Sequence, residues 1–125
     1  FIERKQVNKQ KVYISGLSMG GMGTFEMLYR RPDMFAAATP ICGNGNAGLS
    51  KLYATKVRLW IFHGSNDKIV KPEYSFKMAR SIISSGGSPR LTLYENVGHD
   101  SWNNAFNESN FLNWIHSQSK TKGFR

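Results

Sequence analysis

The chain has 125 residues, of which 40% are hydrophobic and 13% aromatic, so it can form one domain with a buried core. No run approaches the roughly 18 apolar residues of a membrane helix, and no membrane partner is expected. The formal net charge is +9. Because the basic residues are scattered, without a recognition helix or zinc spacing, no nucleic-acid partner is expected either.

Cysteine and histidine usage argues against a structural disulfide or a metal cluster. Cys42 is the single cysteine, so it cannot form an intramolecular disulfide. The three histidines are dispersed along the chain, and we expect neither a metal nor an organic cofactor.

The sequence starts at Phe1 rather than Met and shows no signal peptide. The compartment therefore stays open, including secretion or the periplasm after removal of a targeting segment.

The first predicted strand leads directly into a glycine-flanked serine. The strand is predicted over Lys11–Ser15, residues 16–20 (GLSMG) fit the pattern G-x-S-x-G, and a helix is predicted over Gly20–Arg31. A strand, a tight turn and a helix are the context of a nucleophile elbow, which would present Ser18 at a helix N-terminus. The strained turn requires small residues two positions before and after the serine, which Gly16 and Gly20 provide.

This short pattern also has simpler interpretations. It could be a glycine-rich turn with a solvent-facing serine, or a loop that cradles a phosphate. A Walker loop requires a lysine that this stretch does not contain.

The remaining elements predict an α/β protein. Further strands are predicted over Phe35–Ile41, Val57–His63 and Arg90–Tyr94, and helices over Leu49–Ala54, Pro72–Ser84, Trp102–Phe106 and Ser109–Ser117, with a loop over residues 43–48 and a tail over 120–125. Strands that alternate with helices indicate right-handed crossovers and a parallel sheet in a three-layer α/β/α arrangement, here as one domain over residues 1–125. Ligands bind such sheets at the carboxyl ends of the strands.

Three candidate catalytic residues, Ser18, Asp67 and His99, each lie just past the carboxyl end of a predicted strand. A serine hydroxyl needs a base to remove its proton, and a histidine needs a carboxylate to fix its tautomer. The order serine, aspartate, histidine along the chain is typical of α/β-hydrolases. The sequence therefore predicts a catalytic triad at one edge of the sheet.

Each of these residues has an alternative interpretation. Asp67 could be a turn residue or a helix N-cap, and His99 could be a loop histidine bonded to the backbone. His63 is a competing base, although its place at the end of a strand predicts that it packs beneath the loop. Asp100 is a competing acid, but residues adjacent in sequence rarely direct their side chains at each other.

Three stretches together resemble one branch of the α/β-hydrolase superfamily. Residues 16–43 (GLSMGGMGTFEMLYRRPDMFAAATPICG) are similar to its nucleophile segment, residues 60–70 (WIFHGSNDKIV) to its acid loop, and residues 94–102 (YENVGHDSW) to its histidine loop. The branch contains bacterial predicted peptidases and esterases similar to feruloyl esterases, acetylxylan esterases and polyhydroxybutyrate depolymerases.

The resemblance implies roles for four residues. Ser18 would be the nucleophile, Asp67 the acid and His99 the base, and the backbone N–H of Met19 would be one donor to the oxyanion. It implies hydrolysis of carboxylic esters (short acyl, aryl or carbohydrate) through an acyl-enzyme. The alternatives are a serine peptidase of the same superfamily and a non-catalytic half-domain that acts as an interaction module.

The sequence departs from the family by its short length. The family core has eight strands with the elbow after the fifth, and this chain begins just before that strand. The chain would thus be a fragment of a longer enzyme, which we favour, or a minimal hydrolase whose copies associate to cover an open sheet edge.

Three residues near the triad, Gly43, Asn44 and Trp102, are candidates to bind substrate. The alternatives are that residues 43–48 are a plain connector and that Trp102 packs in the core.

Overall fold

Strands and helices alternate along residues 8–120, the part of the chain that the computed structural model describes. The strands are β1 (Tyr13–Leu17), β2 (Ala37–Ile41), β3 (Arg58–Gly64) and β4 (Arg90–Tyr94). The α-helices are α1 (Met19–Arg30), α2 (Glu73–Ser84), α3 (Trp102–Phe106) and α4 (Phe111–His116), and a 3-10 helix spans Ala47–Leu52. Apart from Lys120, the predicted C-terminal tail lies outside the described residues.

The four described strands form one parallel sheet in the order β1-β2-β3-β4. Tyr13 lies opposite Ala37, and Trp60 opposite Arg90. The predicted parallel α/β arrangement is confirmed. All four strands end at the same edge of the sheet, and this edge carries the loops with the candidate catalytic residues.

Two hydrophobic cores lie on opposite faces of the sheet, because alternate residues of a strand point to opposite faces. On β3, Leu59 and Ile61 join the core beneath α1 and α2, which also contains Phe25, Leu28, Met78 and Ile82. Trp60 and Phe62 join the core formed with α3 and α4, together with Phe111 and Ile115. The sheet is therefore the middle of three layers.

Apart from β4 and α3, the elements start or end one or two residues from their predicted bounds, and two of these differences have a local cause. β1 starts later than predicted because the Lys11 N–H donates to Asn8 O in a turn, and it continues to Leu17, which still pairs with Ile41. The 3-10 helix begins at Ala47, within the stretch predicted as a loop, because the side chain of Asn46 accepts a hydrogen bond from Gly48 N and caps its start.

β1 and β4 form the two outer edges of this sheet. Both strands are only partly buried, whereas all of β2 and nearly all of β3 are buried.

Between residues 8 and 120, no helix is long and apolar enough to span a membrane.

Candidate active site

Ser18 occupies a strained turn between β1 and α1. Its φ of 55° and ψ of −116° lie in a region that residues with side chains rarely adopt. Its N–H donates to Ile41 O at 2.9 Å, which ties the turn to the end of β2. A Cβ atom at Gly16 would lie 2.2 Å from Gly20 O, so the chain reverses here only because residue 16 is glycine. The geometry is that of a nucleophile elbow.

The requirement for a small residue at position 20 was wrong. Apart from its chain neighbours and the backbone of its own helix, a Cβ atom at Gly20 would meet no described heavy atom within 4 Å. The position that needs a glycine is the next one, because a Cβ at Gly21 would lie 2.8 Å from Ile41 O and 3.0 Å from Gly43 Cα. The first turn of α1 packs against the backbone that follows β2, and residue 21 faces that contact.

Asp67 lies in the loop after β3, and its side chain is fully buried. One carboxylate oxygen, Oδ1, accepts hydrogen bonds from the backbone N–H groups of Ile69 and Val70, both at 2.9 Å. Burial by itself would raise the pKa of Asp67. The hydrogen bond with His99 and these two backbone bonds outweigh it and hold the pKa below its ordinary value. Asp67 is therefore an ionised carboxylate at neutral pH.

His99 lies between this carboxylate and the serine. Its Nδ1 is 2.8 Å from Asp67 Oδ2, and its Nε2 is 2.8 Å from Ser18 Oγ. Since an ionised carboxylate only accepts, Nδ1 carries the proton of the neutral ring, and Nε2 is left to accept the serine hydroxyl proton. The structure thus brings together the three residues that the sequence singled out.

Backbone contacts join the acid loop to the histidine loop. A Cβ atom at Gly64 would lie 2.2 Å from Val97 O, so the two loops are in direct backbone contact. The N–H of Asn66 donates to Val97 O at 2.9 Å, and Asn96 N–H donates to Ser65 Oγ at 2.8 Å. These contacts set the distance between Asp67 and His99, and the sequence pattern gave no sign of them.

The predicted oxyanion donor is the backbone N–H of Met19. Met19 is the first residue of α1, where N–H groups have no acceptor within the helix. Its side chain is 82% exposed. The dipole of α1 adds to the attraction for negative charge at this point.

The three predicted substrate-binding residues differ in their surroundings. The Trp102 ring meets the His99 ring edge to face, with 5.5 Å between centroids, and also packs on the core of α3 and α4. Asn44 lines a cavity of about 230 Å³ with Met22 and Tyr29. Gly43 is buried against Gly21, so at this position the chain offers packing on α1.

The competing acid and base of the sequence analysis lie away from the serine. The ring of His63 is fully buried beneath the acid loop, as the strand pattern predicted, and Asp100 is exposed. His63 also contacts the carboxylate of Asp67, with Nε2 3.3 Å from Oδ2. No pattern in the sequence indicates this contact.

Cys42 lies directly beneath the triad, with a φ of 44° and no exposed surface. Burial raises the pKa of its thiol, and the negative charge of Asp67 adds to the increase. Potential ligand atoms of Cys42, Asp67 and His99 all lie within 4.8 Å of one another. A neutral thiol is a poor metal ligand, and His99 Nδ1 and Asp67 Oδ2 are already joined by a hydrogen bond. These three side chains therefore fit a hydrogen-bonded array better than a metal site.

Comparison with known proteins extends these observations. Residues 1–116 match the model of the dienelactone hydrolase family. Acetylxylan esterase A of Aspergillus awamori is 32% identical over 96 residues, which cover 74% of this chain and 31% of that protein.

Solved structures agree with the fold. A thermostable esterase superimposes with a TM-score of 0.89 at 31% identity, covering 94% of this chain and 34% of that one. The acylaminoacyl peptidase of Pyrococcus horikoshii gives a TM-score of 0.81 at 15% identity over 96% of this chain and 26% of that one, which is a likeness of fold alone. The chain thus spans about a third of the length of the two esterases.

Proposed function

Because this chain belongs to the dienelactone hydrolase family of α/β-hydrolases, we propose that it is a serine esterase with Ser18, His99 and Asp67 as its catalytic triad. The observation that carries the proposal is the continuous hydrogen-bonded array from Ser18 Oγ through both nitrogens of His99 to Asp67 Oδ2, with 2.8 Å at each link. The strained φ of Ser18 supports it, since such strain is concentrated at functional sites.

The proposed reaction has two halves. Ser18 Oγ attacks the ester carbonyl carbon while His99 Nε2 takes the hydroxyl proton, and Met19 N–H donates to the oxyanion. The C–O bond to the alcohol then breaks, and His99 gives its proton to the departing oxygen. Water, deprotonated by His99, then attacks the acyl carbon. The bond from this carbon to Ser18 Oγ breaks, His99 returns the proton to Ser18 Oγ, and the carboxylic acid is released. Throughout, Asp67 holds the tautomer of His99 and stabilises the imidazolium.

We propose short acyl esters, including acetyl esters of carbohydrates, as the substrate class. The similarity to acetylxylan esterase A favours acetyl groups. Trp102 would bound the site beside His99, and Asn44 would offer a polar contact from the loop after β2. Gly43 would contribute by shaping that loop.

The test is hydrolysis of p-nitrophenyl acetate and acetylated xylooligosaccharides by wild type and Ser18→Ala. Ser84→Ala, which changes an exposed serine at the end of α2, is the matched control. We expect turnover by wild type and Ser84→Ala and none by Ser18→Ala. Equal, negligible rates for all three folded proteins would reject the esterase and favour the non-catalytic module, and cleavage of acyl-peptide anilides alone would favour the peptidase.

A further proposal concerns the open edge of β1. The outer side of β1 pairs with no other strand among residues 8–120, and unpaired strand edges tend to recruit another strand. We propose that the chain as given covers this edge with a second copy. Light scattering behind size exclusion should give a dimer mass, and a strictly monomeric mass at high concentration would contradict self-association.

A further inference from the structure

A second imidazole lies against the carboxylate of Asp67. The side chain of His63, at the end of β3, is fully buried between the sheet and α2. Its Nε2 lies 2.7 Å from Val70 O and 3.3 Å from Asp67 Oδ2, and its Nδ1 lies 2.6 Å from Ser75 Oγ on α2. Both polar atoms of this ring are therefore engaged.

The partners of His63 fix the position of its proton. The carbonyl oxygen of Val70 and the carboxylate of Asp67 can only accept, so Nε2 must carry the hydrogen, which it donates to Val70 O beside the carboxylate. In the neutral ring, Nδ1 then accepts the hydroxyl proton of Ser75. The hydroxyl of Ser75 thus donates to the ring of His63, and this ring donates to the loop that contains Asp67.

We propose that His63 is a positioning residue for Asp67: its Nε2–H holds Val70 O of the acid loop by a hydrogen bond and lies 3.3 Å from the carboxylate oxygen that His99 contacts. This inference rests on the proposed function for its effect on turnover. The contacts themselves do not depend on turnover: His99 Nδ1–H donates to Asp67 Oδ2 at 2.8 Å, and His63 Nε2, which donates to Val70 O, lies 3.3 Å from the same carboxylate oxygen.

Sharing Oδ2 between two imidazoles has a definite electrostatic consequence. A donor to the carboxylate withdraws negative charge that would otherwise stabilise protonated His99. Loss of the His63 N–H should therefore favour protonation of His99 and move the acid limb of the kcat/KM profile to higher pH. If Asp67 were merely displaced from His99, the limb would move the other way.

Two substitutions separate the hydrogen bond from the packing of the ring. His63→Met fills much of the space and removes the donor, whereas His63→Gln keeps an N–H group near the position of Nε2. We expect the acid limb to move to higher pH in His63→Met and to return to the wild-type position in His63→Gln. An unmoved limb in a folded His63→Met variant would overturn the positioning role.

A titration followed by NMR tests the same link without turnover. The chain has three histidines, His63, His99 and the exposed His116, so the ring C2 protons can be assigned with His116→Gln and His99→Gln. The midpoint for His99 should rise in His63→Met, and the His63 N–H resonance of wild type should move as His99 titrates. No response of the His63 resonances in wild type would overturn the proposal even if His63→Met fails to fold. An inactive wild type would reject the esterase while leaving this titration readable.

Discussion

Gly64→Ala tests the contact that sets the distance between Asp67 and His99. The new methyl group would lie 2.2 Å from Val97 O and 2.5 Å from Gly98 O, both of them backbone atoms of the histidine loop. A flexible side chain could move aside, but a backbone carbonyl held by the N–H of Asn66 cannot do so cheaply. The two loops must therefore separate.

The size of the effect follows from that distance. Ordinary contact begins near 3.4 Å, so Val97 O would have to retreat by about 1.2 Å. A misplacement of about 1 Å in a catalytic array costs on the order of 100-fold in rate, and overpacking costs about 1–3 kcal/mol of stability. We expect kcat/KM to fall by about 100-fold and the free energy of unfolding to decrease by about 1–3 kcal/mol.

The assay is p-nitrophenyl acetate hydrolysis with urea denaturation alongside, and Gly23→Ala is the matched control. A Cβ at Gly23 on α1 would meet no described heavy atom within 4 Å outside its own helix, so alanine there should keep activity and add about 0.5–1 kcal/mol of helix stability. A folded Gly64→Ala variant with wild-type kcat/KM would refute the idea that this contact positions the triad.

Three further predictions concern the charge of Asp67, the first turn of α1 and the aromatic core. The lowered pKa of Asp67 means that its charge stabilises the fold above the ordinary value of 3.8, and that this stability is lost as the pH falls through the lower folded value. The difference in unfolding free energy between wild type and Asp67→Asn should thus shrink below about pH 3.8, and a difference constant with pH would contradict the shift. Gly21→Ala should lower the melting temperature while Gly20→Ala should not, and equal losses would reverse our assignment of the steric constraint. Phe111→Ala should cost about 3–5 kcal/mol in urea denaturation because this buried ring packs on the aromatic core, and a loss below about 1 kcal/mol would contradict that packing.

The sequence predicted the position of the candidate site because three strong local patterns follow three strands. In a parallel sheet, strand ends meet at one edge, so Ser18, Asp67 and His99 could be placed together before any distance was known. The bounds of β4 and α3 were predicted correctly, since an alternating strand between turn residues and a short apolar helix leave little freedom. The site roles themselves stay predictions until activity is measured.

The features that the sequence did not reveal are contacts between segments distant in sequence. The approach of Gly64 to Val97 and the contact of His63 with Asp67 depend on how two loops settle on each other, which no local periodicity encodes. The error at Gly20 has the same origin. The motif shows that the turn needs small residues, but the packing of α1 on the loop after β2 decides which residue faces the constraint.

The most direct test of the proposed triad is the mass of the intact protein after treatment with an alkyl fluorophosphonate, which reacts with activated serines. One adduct per chain, mapped by peptide mass to Ser18 and absent from both Ser18→Ala and His99→Gln, is the expected result. No adduct on the folded wild type, or an adduct that persists in Ser18→Ala, would contradict the assignment of Ser18 as a nucleophile activated by His99.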